Sequence, residues 1–127
     1  MNTDKLLIDL HTEHIEWLTN LAFYKDEIKI LQKRLAEIVS KNTDKSVLAS
    51  AEHFQNQFIV YDNEIKVLEH DIRSHERYIE SHMKKSASGA EFAKGADHTT
   101  HRDKMERFGK LFSELRQEMN VFSSKVL

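Results

Sequence analysis

The sequence predicts an all-α fold: an elongated antiparallel helical hairpin with a third helix packed along it, a three-helix bundle of coiled-coil type. Three observations predict it. The chain of 127 residues contains no proline, the residue that most effectively interrupts a helix. Large apolar residues recur at alternating intervals of three and four along most of its length, a spacing that gathers them on one helical face. Two of the three glycines, Gly89 and Gly95, fall together in one segment, so helix breakers are confined to a single place.

The first helix is predicted over about 3 to 40. Its seam runs Leu7, Leu10, His14, Trp17, Leu21, Tyr24, Ile28, Leu31, Leu35 and Ile38. Thr3 or Asp4 can cap its start, because a short oxygen-bearing side chain accepts a bond from an unpaired first-turn amide. A second row (Ile8, Ile15, Leu18, Phe23 and Ile30) lies off this seam and implies another contact face.

The second helix is predicted over about 44 to 84, with Asn42, Thr43 or Asp44 as its cap. Its seam passes through Val47, Ala51, Phe54, Phe58, Tyr61, Ile65, Leu68, Ile72, His75, Ile79 and His82. A turn this short joins antiparallel neighbours. Residues 85–96, rich in Ser, Ala and Gly with Phe92 as their one large apolar residue, read as a flexible connector. Asp97 then offers a cap for a third helix over about 97 to 126, with a seam of His98, His101, Met105, Phe108, Phe112, Leu115, Met119, Phe122 and Val126. The whole chain, 1–127, is expected to form one domain. Leu21, Ile28, Leu31, Phe54, Phe58, Ile65, Phe112 and Phe122 are the residues expected to carry core packing and assembly, since heptad-spaced knobs pack into a facing helix.

Every departure from an apolar seam is a histidine: His14, His75, His82, His98 and His101. In a hairpin turning near residue 42, residue i lies opposite about 85 minus i, and all five then gather toward one end. Three readings follow. Imidazole is amphipathic and is tolerated at a partly wet bundle end, where Asp71 or Asp97 can pair with it from one turn away. Neutral imidazole also suits zinc and other divalent transition metals, and His82, His98 and His101 are the first candidate ligands, with His14 and His75 second. Finally, clustered imidazoles repel one another once protonated, so the end could sense pH. The sequence has no Glu-x-x-His and no His-x-x-x-His pair, so it lacks the carboxylate-bridged di-iron bundle pattern.

The net charge of -2 excludes the basic balance of an electrostatically driven nucleic-acid binder. Without cysteine there is no disulfide, thiolate site or thiol nucleophile. No apolar stretch is long enough for a membrane span and no basic amphipathic anchor is present, so no membrane partner and a cytoplasmic location are expected. Phosphate-binding glycine loops, the G-x-S-x-G elbow and H-E-x-x-H are missing. The expected function is therefore non-enzymatic protein association, as a homo-oligomer or as an adaptor for another protein, with no cofactor. The alternative is a metal-binding or pH-sensing bundle built on the histidine-rich end.

Overall fold

The computed structural model describes the backbone of residues 2–83 and 87–126, and side chains over 8–81 and 98–126. Three helices follow one another: α1 (Asn2–Lys41), α2 (Lys45–Met83) and α3 (Ala87–Val126). At about 1.5 Å per residue, each is close to 60 Å long. Among the described residues there is no strand, and none of the helices is long and apolar enough to cross a membrane.

The turn from α1 to α2 is closed by side chains on both sides. The Asn42 amide donates to the Ile38 carbonyl at 2.8 Å, satisfying one of the last-turn acceptors of α1. Asp44 Oδ1 accepts from the Ser46 and Val47 amides at 2.8 and 3.4 Å and from the Ser46 hydroxyl at 2.6 Å. Asp44 is thus the cap of α2, and these bonds hold its carboxyl below the usual carboxylate range.

The second boundary differs from expectation. The third helix begins at Ala87 rather than near 97, so the flexible connector placed at 85–96 is helical from 87 onward, and Asp97 lies inside a helix. Alanines 87, 90, 93 and 96, with Glu91 and Lys94, are strong helix formers, whereas each glycine costs only about 1 kcal/mol relative to alanine. That penalty does not stop propagation from a helix already formed.

Cross-helix contacts set the register. Arg116 Nη1 donates to both Glu27 oxygens at 2.9 and 3.0 Å, and Arg34 Nη1 donates to Asn120 Oδ1 at 3.3 Å. Rising numbers thus pair with rising numbers, and α3 runs parallel to α1. The turn between Lys41 and Lys45 and the contact of His14 with Glu76, far from that turn on both helices, make α2 antiparallel to α1 and hence to α3.

The seams become the core. Leu21, Ile28, Leu31, Phe54, Phe58, Ile65 and Phe112 are buried within this one chain, and Phe122 is half-buried against them. Aromatic rings fill the space between α2 and α3 and reach α1. Tyr24 lies 5.4 and 4.9 Å from Phe108 and Phe112, Tyr61 meets Phe108 edge-on at 5.7 Å, and Phe54 packs on Phe122 at 5.2 Å. Such tilted and edge-on pairs match the ring quadrupole better than face-to-face stacks. The main core ends at Trp17, Ile72 and Met105; beyond it Leu10 and Ile79 form a separate small cluster. What separates the two is a layer of histidines.

Candidate functional site

That layer takes one imidazole from each helix: His14 from α1, His75 from α2 and His98 from α3. They are only 1%, 6% and 3% exposed, so a partly wet bundle end does not explain these three, although carboxylates do pair with His14 and His98. Ring centroids are 5.1 Å apart for His14 with His75 and for His14 with His98, and 6.0 Å for His75 with His98. One nitrogen from each ring can be chosen so that all three lie within 4.8 Å of one another. Trp17 forms the floor toward the main core, stacked on His98 at 4.7 Å.

Two carboxylates hold the layer from outside. Glu76 accepts from His14 Nδ1 and, through its other oxygen, from His11 Nδ1. Glu13 accepts from His98 Nε2 and also from Arg102, whose Nε and Nη2 reach it at 3.1 and 2.8 Å. A carboxylate can only accept, so these bonds place a proton on His14 Nδ1 and His98 Nε2. Within the layer, His14 Nε2 faces His75 Nδ1 at 3.2 Å. His98 Nδ1 is buried without a hydrogen-bond partner among the described residues.

The electrostatics follow from this arrangement. The Arg102 hydrogen bonds, helped by His98, hold the Glu13 carboxyl down at about 2. Burial raises Glu76, but its bonds to His14 and His11 outweigh that and leave it below its ordinary value. His98 is pushed down mainly by burial, partly offset by Glu13. These shifts favour a neutral His98 beside ionised Glu13 and Glu76 around neutral pH.

Of the sequence-predicted ligands, His14, His75 and His98 come together. His101 stands beside them, half-buried, with its ring 5.1 Å from that of His75. The His82 side chain lies outside the described residues; among those described, His98 is joined by His14 and His75, the two second candidates. Sequence reasoning passed over Glu13, Glu76 and Arg102, having looked for carboxylates one turn away along the same helix. The usable signal was adjacency. Glu13–His14 and His75–Glu76 are neighbouring pairs, and a residue next to a core position sits about 100° around the helix, where it faces the adjoining helix.

A second surface lies on the outside of α1. Ile8, Ile15, Phe23 and Ile30 are 64%, 52%, 56% and 60% exposed, while Leu18, read as part of the same row, packs against the core. The four recur at seven or eight residues, about two helical turns, and so form one row roughly 33 Å long. No protein-family model, no curated protein and no solved structure matches the chain.

Proposed function

We propose that the protein is non-enzymatic and acts through protein association, its outer α1 face pairing with a second copy of the chain. The exposed apolar row is the observation that carries this reading. Three packed helices leave it uncovered, and a continuous apolar row is a common mark of an interaction surface. The row is also self-complementary. An antiparallel copy centred on Thr19 sets Ile8 against Ile30 and Ile15 against Phe23, as an isologous two-fold contact requires.

Magnitudes limit how strong such a pair can be. Full burial of Ile or Phe is worth about 1.5–3 kcal/mol, so side chains already half-covered gain about 1 kcal/mol each. Eight of them from two chains supply about 8 kcal/mol, comparable with the roughly 4–15 kcal/mol cost of association. Even the smallest of these costs leaves about 4 kcal/mol, so burial of the row supports a pair that is millimolar or weaker. Light scattering over about 0.05 to 2 mM should show the mass rise from 14.9 kDa toward twice that value. Phe23→Lys should hold the chain monomeric without changing its melt. A single-chain mass across the whole range, or a dimer that survives both Phe23→Lys and Ile30→Lys, would refute the reading.

A further inference from the structure

We propose that His14, His75 and His98 bind one divalent transition-metal ion inside the bundle, held in place by Glu76 and Glu13 as outer-shell partners. This site stands independently of self-association through α1.

Three features of the layer carry the inference. First, each helix contributes one buried imidazole, and their nitrogens converge within 4.8 Å. A layer of three imidazoles interrupting an otherwise apolar core costs stability unless its polar atoms are used, and His98 Nδ1 has no hydrogen-bond partner among the described residues.

Second, the hydrogen bonds orient two of the three rings as a metal requires. Glu76 binds the Nδ1 proton of His14 and Glu13 the Nε2 proton of His98. Each neutral ring then carries its lone pair on the opposite nitrogen, His14 Nε2 and His98 Nδ1. Metal-ligating histidines are characteristically held by a carboxylate on the nitrogen that does not bind the ion, which fixes the tautomer and raises ligand basicity. Arg102 in turn holds Glu13, so the outer shell is itself anchored.

Third, the spacing fits. Two imidazole nitrogens bound to zinc at about 2.0–2.1 Å with tetrahedral angles lie about 3.3–3.4 Å apart, and His14 Nε2 lies 3.2 Å from His75 Nδ1. His75 Nδ1 donates to His14 Nε2, whose proton is on the other nitrogen. Ligation requires that the His75 proton move to its other ring nitrogen and that the three nitrogens, within 4.8 Å of one another, close to the spacing of a bound ion.

The donor set names the class of ion. Neutral imidazoles suit Zn, Cu, Ni, Co or Fe, whereas Mg and Ca prefer oxygen donors. Three protein ligands leave the fourth tetrahedral position to a non-protein donor.

The test uses full-length protein without an affinity tag, stripped with chelator and titrated with Zn²⁺ by calorimetry and with Co²⁺ by visible absorption. Expected are one ion per chain, a rise in melting temperature, and an intense tetrahedral Co²⁺ spectrum, with no response to Mg²⁺. His98→Ala should abolish binding, while His53→Ala, on an exposed position of α2, should leave it unchanged. Should His98→Ala fail to fold, Glu13→Gln decides the matter. It keeps all three imidazoles and should weaken Zn²⁺ binding about 10–100-fold. Absence of binding, a weak octahedral Co²⁺ spectrum, or affinity untouched by both His98→Ala and Glu13→Gln would overturn the proposal and assign any bound metal to surface histidines.

Discussion

Truncating Phe58 to alanine probes the whole arrangement of the seams. Phe58 is fully buried, with 0% exposure, and its ring stacks 6.5 Å from that of Phe54. Removing a buried aromatic ring forfeits its transfer free energy and leaves a cavity that long packed helices cannot easily collapse, a loss of about 3–5 kcal/mol. For a chain of 127 residues the unfolding entropy is about 270 cal/mol/K, so the midpoint should fall by about 11 to 19 °C. The assay is helical circular dichroism followed through thermal and urea unfolding, with agreement between the two as a check on two-state behaviour. Val60 supplies the control. It lies two residues on, about 200° around the same helix, and is 56% exposed, so Val60→Ala should change stability by less than about 0.5 kcal/mol. Equal effects of the two substitutions, or an unchanged midpoint for Phe58→Ala, would mean that α2 presents a different face to its neighbours and that the argument from seam to core is wrong.

Two further outcomes follow from the site and its surroundings. Stability should be flat above the ordinary histidine value of 6.5 and decline as pH falls from there toward the lowered His98 value, because the unfolded chain takes up that proton more readily. A second decline should run from about 4.5 down to about 2 as Glu13 is neutralised, with Glu76 lost over the same limb; melts from pH 8 to 3 that show a rising midpoint below pH 6 would contradict the burial of a neutral His98. Gly109→Ala adds a methyl group 3.1 Å from the Tyr24 hydroxyl and gains about 1 kcal/mol of helix propensity. The half-exposed Tyr24 can shift by the few tenths of an ångström required, so the net change should be stabilising by less than about 1 kcal/mol, and a chemical-denaturation loss larger than that would show the ring to be locked by Phe108 and Phe112.

A charge pair four residues apart on one helix does little to shape the molecule. Asp62–Lys66 closes at 3.4 Å on an exposed surface, the kind of pair worth only tenths of a kcal/mol. The ion pairs that bear on register, Glu27–Arg116 and Glu13–Arg102, cross from α1 to α3. Their partners are separated by 89 residues, and no local spacing rule reaches that far.

Three helices, their inward faces and the polar turn at 42–44 were legible from the chain alone. Each depends on local causes: the period of Leu, Ile and Phe, the lack of proline, and the short capping side chains of Asn42 and Asp44. The start of α3 was misjudged, because Gly89 and Gly95 resemble a break in isolation but are carried by the alanine-rich helix around them. The concentration of histidines toward one end could also be read, but not their burial or the membership of His14 and His75 in the central trio. Those depended on how far each helix is rotated and slid against its neighbours. A seam defines the angle of a helix to within a broad face, whereas bringing Glu13 to His98 and Arg102, or Glu76 to His11 and His14, requires two helices to agree in both angle and height, and only the packed core imposes that agreement.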